Sequence, residues 1–232
     1  MKAILMAAGY GGRISQFTNE PKSLLKIGDK TIIRNTVETL LKNNISVSII
    51  VGFKHNLIEE ELKDFPVKFY YNPFYRVTNS IASLWMAKGE LEKEDVILAN
   101  ADVYWGQDIL DLLLSEKTDV VMLGDVTRAQ IGDYFFGCKN GLIEKYGKEL
   151  VPEERTCEYV GIAKVTKNFL PTFKSQIEAL VDNGDYNLWW ENTLYTVSDK
   201  YPIHVKDVDG RFWAEVDYIE DYERIKQNVK VR

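Results

Sequence analysis

A short apolar run, Ala3 to Met6, empties directly into Ala7-Ala8-Gly9-Tyr10-Gly11-Gly12-Arg13, and this junction constrains the chain more than any other stretch. The run reads as a buried strand. The small residues after it let a ligand approach the backbone, because glycine and alanine put little side chain in the way. Successive N–H groups in such a loop can cradle phosphates. Arg13 adds positive charge, as does Lys22 in the segment Pro21-Lys22-Ser23-Leu24-Leu25-Lys26-Ile27 that follows eight residues on. Two other phosphate motifs fail here. Gly9-x-Gly11 lacks the third glycine of a dinucleotide fingerprint, since Ile14 stands there, and no Gly-Lys-Ser/Thr comes at P-loop spacing.

Ala7-Ala8-Gly9-x-Gly11-x-Arg13 followed by Pro21-Lys22 resembles the signature of the nucleotidyltransferase superfamily that makes nucleotide-activated sugars and alcohols. Its members couple a nucleoside triphosphate to a phosphorylated acceptor and release pyrophosphate. Gly12 departs from the pattern, standing where the family usually has Ser or Thr; the hydroxyl is lost and the backbone donors remain. The resemblance implies a nucleotide loop of Ala7, Ala8, Gly9, Gly11, Gly12 and Arg13, with Arg13 and Lys22 as the catalytic cations.

Bulk properties narrow the classes. A chain of 232 residues can bury one substantial core, and 45% hydrophobic with 28% charged residues is ordinary for a globular protein. A net charge of −6 argues against a nucleic-acid binder, which would carry a basic stripe, and leaves room for a nucleotide site held by a few local cations. Cys138 and Cys157 have no metal-ligand spacing and fit reduced thiols. His55 and His204 are isolated, so a histidine-based nucleophilic triad is not expected. No signal peptide or bilayer-length apolar run is visible, and a soluble cytoplasmic protein without a membrane partner is expected. Oligomeric state is not legible.

The order of elements carries the fold. After a turn at Gly28-Asp29-Lys30, helical spacing predicts a helix over Thr31–Asn43, then a strand at Ser46–Val51, a helix at Asn56–Asp64 and a strand at Val67–Tyr71. This alternation implies a doubly wound, mostly parallel, Rossmann-like α/β sheet with right-handed crossovers, whose ligands sit beyond the strand carboxyl ends. A helix capped near Asn79 or Ser80 runs through Leu84 to Lys88, a strand covers Asp95–Ala99, a helix Gln107–Leu114 and a strand Asp119–Leu123. The alternation then stops. Asn140-Gly141 signals a hairpin between 134–137 and 142–145, with a further strand at Cys157–Lys164. Helices are expected over Asn168–Val181, from Asp185 to Asn192, and from Tyr218 to Gln227. We expect a single domain over 1–232, nucleotide-binding to about residue 125, with a small antiparallel lid or acceptor-binding portion beyond.

Four further groups are candidates. Asn79 and Ser83 resemble the segment that lies beside the pyrimidine in the branch activating phosphocholine and related phosphorylated amines; capping the helix is the rival role for Asn79. Asp102, just past a buried strand, matches the superfamily's metal-binding aspartate, and Asp217 in Glu215-Val216-Asp217 resembles the second; Asp217 could equally cap the last helix. Trp189, Trp190 and Trp213 lie in the last quarter of the chain. Core packing is the ordinary use of a tryptophan, but aromatics beside a carboxylate such as Glu191 also suit an ammonium group through cation–π attraction. Tyr134 and Glu158 are placed with the same acceptor-binding wall, as Arg128 and Lys148 could be; a solvated surface charge is the equal alternative for Arg128, Lys148 and Glu158.

The resemblance implies transfer of CMP from CTP to a small phosphorylated amine or phosphonate, phosphocholine first, with Mg²⁺ held by Asp102 and Asp217. A phosphorylated amide, a sugar-1-phosphate nucleotidyltransferase and a non-catalytic nucleotide-binding regulator are the alternatives.

Overall fold

The computed structural model describes residues 1–14 and 16–231, with side chains through Val229. β1 (Lys2–Ala7) sends Ala3, Leu5 and Ala7 to one face of a sheet and Ile4 and Met6 to the other, and all five are buried. A strand covered on both faces needs helices on both. β2 (Lys26–Ile27) and β3 (Lys30–Thr31) pair as a small hairpin, and α1 (Ile32–Lys42) follows, its first turn capped by Thr31, whose Oγ1 accepts from the Arg34 N–H. Ile33, Val37 and Leu40 of α1 pack on the Leu5 face. β4 (Ser46–Val51), α2 (His55–Glu61) and β5 (Val67–Tyr71) continue outward on one side of β1, all three strands parallel. α3 (Ser80–Met86) puts Leu84 on the Ile4 face. β6 (Val96–Asn100) then returns to the other side of β1, again parallel. Sheet growth therefore reverses at β1, and the carboxyl ends of β1 and β6 open the crevice that such folds use for ligands.

β7 (Val103–Trp105), α4 (Gln107–Ser115) and β8 (Val120–Asp125) come next. β9 (Phe135–Lys139) and β10 (Leu142–Gly147) form the expected hairpin, with φ of 53° at Asn140 and 76° at Gly141, as a two-residue turn of this hand requires. β11 (Cys157–Val165) lies antiparallel between β6 and β8. α5 (Leu170–Asp182), α6 (Asn192–Tyr195), β12 (His204–Asp207), β13 (Trp213–Glu215) and α7 (Ile219–Val231) complete the chain. The large sheet has the order β5-β4-β1-β6-β11-β8-β12-β10-β9, with β9 also touching β11. The doubly wound α/β class is as expected; some antiparallel strands continue the central sheet, and the pairs β2–β3 and β7–β13 form separate two-stranded sheets.

Several elements differ from the sequence reading, among them the short strands β2, β3 and β7, which it did not expect. The stretch from Asp185 forms turns until α6 begins at Asn192, because the carbonyls of Tyr186 and Leu188 accept the Asn79 and Ile81 amides at the start of α3. β12 was not expected; its four residues are all half-buried, and it gains its place by parallel pairing with β8. Among the described residues, no helix is long and apolar enough to cross a membrane.

Candidate active site

At the reversal point the glycine-rich loop forms one wall of a cleft of about 430 Å³. Gly11 has φ +66°, and a Cβ there would press on the Lys22 stem at 3.1 Å, so glycine answers both a backbone and a packing demand. Behind the loop, a Cβ on Gly52 would fall 2.7 Å from the Ala8 carbonyl oxygen. Nothing lies within 4 Å of a Cβ built at Gly9, which faces open space. Ala7, Ala8, Gly9, Gly11, Gly12 and Arg13 all line the cleft.

Opposite stand the two expected acids. The antiparallel pair β7–β13 brings them together: Glu215 is registered against Val103, and the Val216 N–H donates to the Asp102 carbonyl at 3.1 Å. Lys22 Nζ lies 2.5 Å from Asp217 Oδ1 and 3.4 Å from Asp102 Oδ2. Arg13 Nη1 lies 2.5 Å from Asp217 Oδ2 and 3.6 Å from Asp133 Oδ2. The start of α7 is capped by Asp221, whose Oδ2 accepts the amides of Asp217 and Tyr218, so the Asp217 side chain is left to the cations. The two acids titrate in opposite directions. Burial raises the Asp102 carboxyl, with Lys22 opposing and Asp217 adding to the rise. For Asp217 burial also pushes upward, but Lys22 and Arg13 overcome it and hold the group below the usual range. Burial would lower Lys22, yet Asp102 and Asp217 raise it, so it is a fixed cation.

Among the described residues, no three His, Cys, Asp or Glu side chains converge as a ready metal cage. Two carboxylates near enough to share one ammonium nonetheless make an all-oxygen donor pair. That suits a hard ion such as Mg²⁺, which keeps waters and substrate oxygens as its other ligands. The residues present fit that ion.

Along the cleft at the start of α3, Asn79 is a lining residue, and its Oδ1 accepts the Ser80 N–H at 2.8 Å and caps the helix. Ser83 lines it too, its Oγ accepting from Asn72 Nδ2 at 3.0 Å.

At the far end stand aromatic rings. Tyr134 stacks on Tyr195 at 5.7 Å and 13°, and meets Trp189 edge-on at 5.6 Å. Trp189 is 40% exposed. Tyr159 and Glu191 complete this end. Burial raises the Glu191 carboxyl to about 7.

Three expected acceptor residues lie elsewhere. Trp190 is fully buried in the core, and its indole N–H serves Asn100 Oδ1 at 2.9 Å. Trp213 is buried on β13 and donates to Asp125 Oδ2 at 2.8 Å, with the Arg128 guanidinium over its ring. Glu158 is taken by Arg128 and by the Asp133 N–H, and faces a second, smaller cavity of about 200 Å³. The sequence reading missed Asn100, Tyr159, Tyr195, Asp133 and Glu215 as lining residues. Glu215 had a signal: it and Asp217 are two apart, and strand alternation puts such a pair on one side. Tyr159 and Tyr195 had none, since each comes from a different element.

A parallel sheet opening at its reversal point onto a glycine-rich loop, two cations and an acidic pair is the arrangement of a nucleotide-handling α/β protein. The model of the MobA-like NTP transferase domain matches residues 3–150. The chain belongs to that nucleotidyltransferase family. It is 33% identical to a choline-phosphate cytidylyltransferase of Haemophilus influenzae over 246 residues, covering 99% of this chain and 97% of the relative. It is 26% identical to a CTP:phosphoglutamine cytidylyltransferase of Campylobacter jejuni, over 96% of this chain and 98% of that one. In fold it is similar to the CTP:phosphocholine cytidylyltransferase from Streptococcus pneumoniae, with a TM-score of 0.80, 21% identity and 98% of each chain covered.

Proposed function

We propose that this chain transfers CMP from CTP to a small phosphorylated or phosphonate acceptor bearing a cationic group, phosphocholine first, and releases pyrophosphate. The observation that carries the reading is the aromatic end of the cleft: Trp189, Tyr134 and Tyr195 around the buried Glu191. An ammonium is attracted by ring faces and by a carboxylate, both strengthened where water is excluded. Names of relatives that act on choline phosphate and phosphoglutamine with CTP support the same class.

In the reaction, an acceptor oxygen attacks the α-phosphorus of CTP. The new P–O bond forms as the bond to the β-phosphate oxygen breaks, and pyrophosphate leaves with that electron pair. A phosphomonoester has its second pKa near about 6, so the nucleophile is largely ionised at neutral pH and no general base is needed. Catalysis then rests on position and charge. Arg13 grips the β- and γ-phosphates, and Lys22 neutralises charge on the α-phosphate or the acceptor. The loop backbone at Ala7, Ala8 and Gly9, with Asn79 and Ser83, holds the base. Bound by Asp102 and Asp217, Mg²⁺ supplies further positive charge for the phosphate oxygens. Glu191 takes the acceptor's cation.

The test is pyrophosphate release in Mg²⁺, crossing CTP, UTP, dTTP, ATP and GTP with phosphocholine, 2-aminoethylphosphonate and glucose-1-phosphate. Turnover of CTP with an amine-bearing acceptor is expected. Turnover only of a sugar phosphate with UTP, dTTP or GTP overturns the acceptor reading.

A further inference from the structure

An indole N–H donates and does nothing else. At Trp190 this fixes what a carboxamide leaves open, namely which end of Asn100 faces which neighbour. Trp190 Nε1 lies 2.9 Å from Asn100, so the atom it meets is the acceptor, Oδ1. The other end, Nδ2, is thereby turned on Glu191 and reaches Oε1 at 3.3 Å. Gly161, at φ +84°, keeps this corner open: a Cβ there would sit 3.4 Å from Nδ2 and 2.8 Å from Val103 Cγ2. Trp190 and Glu191 are neighbours in the chain, so one short segment supplies both the group that orients the amide and the group the amide serves.

We propose that Asn100, its amide orientation fixed by Trp190, is the positioning residue that prepares Glu191 to receive a cation, and so makes the protein choose a charged acceptor over a neutral one of the same shape. This rests on the reading of Glu191 as the acceptor's charge partner.

The physical reason is the polarity of the amide. An N–H aimed at a carboxyl favours its ionised form, whereas a flipped amide presents an oxygen and favours the neutral acid. The balance at Glu191 is delicate. Burial disfavours its charge most, and Asp102 adds to that, while its backbone, Asn100 and the nearby Tyr159 hydroxyl favour ionisation. Glu215 is a further acid in its field, and the Tyr134 and Tyr195 phenols face it from β9's leading end and α6. Reversing this amide dipole shifts the balance toward the neutral acid.

Trp190→Phe removes the donor and keeps an aromatic ring; Asn100→Leu removes the amide and keeps its shape. Folding of each is checked by circular dichroism. With δ-¹³C-labelled glutamate in the free protein, and Glu191→Gln to assign the signal, the Glu191 carboxyl midpoint is expected to rise by about one pH unit in either variant. Preference for phosphocholine over 3,3-dimethylbutyl phosphate, in which carbon replaces the ammonium nitrogen, is expected to fall about tenfold, mostly through KM for phosphocholine. A merely structural role would lower stability and weaken CTP and both acceptors alike. Discrimination by the wild-type protein that survives unchanged in both folded variants, with an unmoved carboxyl midpoint, overturns the proposal alone. Equal use of the two acceptors by the wild-type protein overturns the reading of Glu191 and the proposal with it.

Discussion

The two ends of the cleft are built on opposite principles. At the end proposed for phosphate, Arg13, Lys22, Asp102, Asp133 and Asp217 form a connected set of opposite charges: Asp217 contacts Arg13 and Lys22, and Asp133 contacts Arg13 and Lys148. At the other end, proposed for the acceptor, the Glu191 carboxyl shares a wall with aromatic rings and is touched by an amide. The first is an electrostatic device that can exchange protein partners for phosphates and a metal at modest cost, because every group already has a counter-charge. The second holds its charge in reserve, since burial keeps the carboxyl near neutrality until a cation arrives. On the proposed reading, position and charge serve the reaction at one end, and selection is made at the other.

The sharpest way to break this division is at the acids. Asp102→Ala or Asp217→Ala is expected to lower kcat by about 10³-fold or more, read by pyrophosphate release at saturating substrates. Their effects on stability should differ. Asp102 has a raised carboxyl, and such a group stabilises the fold while protonated and loses that contribution as pH rises through its folded value. Asp102→Asn should therefore leave Tm at neutral pH unchanged or higher. Asp217 has a lowered carboxyl and stabilises the fold above its unfolded pKa, so Asp217→Asn should lower Tm at neutral pH and less so in acid. Equal Tm changes would mean that the two acids are not the unlike pair described above. Lys22→Met comes next, with kcat expected to fall about 10²-fold and the acceptor's KM to change less.

At the other end the losses should appear in KM. Glu191→Gln is expected to raise KM for a cationic acceptor by about 10- to 100-fold. The carboxyl is raised to about 7 from the ordinary value of 4.5, so its stabilising contribution is complete below that ordinary value and lost as pH climbs through 7. Glu191→Gln should thus melt above the wild-type protein at pH 8 and with it at pH 4. Trp189→Ala should raise the same KM by about tenfold, the scale of a partly desolvated cation–π contact. If Trp189→Ala instead affects CTP, the aromatic end belongs to the nucleotide.

How much of this was legible depended on where the partners lie in the chain. The loop, Arg13 and Lys22 were readable because they follow β1 closely in the chain, whereas Asp102 and Asp217 were put beside them only by the resemblance, and Asp133, from a third segment, was missed. The alternation through β5 likewise fixed the parallel half of the sheet. β12 was not readable, because His204-Val205-Lys206-Asp207 has no apolar pattern and owes its conformation to pairing with β8. The acceptor end was read from composition, as tryptophans near a glutamate, and composition does not say which way a ring points. Trp189 and Trp190 are adjacent, yet one lines the cleft and the other is buried in the core. Tyr159 and Tyr195 reach the same wall from β11 and α6, a convergence that belongs to tertiary structure alone.

Trp213 gives the smallest and most discriminating effect. Its indole donates to Asp125, which is 5% exposed, and its ring packs between β13 and the Arg128 guanidinium. Trp213→Phe keeps most of the apolar contact and leaves Asp125 Oδ2 without that donor, while Thr127 still serves Oδ1. An unpaired buried acceptor costs about 1–3 kcal/mol, so Tm should fall by a few degrees. KM for phosphocholine should stay within about twofold of the wild-type value, because a ring that faces the second cavity cannot be lost from the first. A tenfold rise in that KM without a change in Tm would return Trp213 to the acceptor wall.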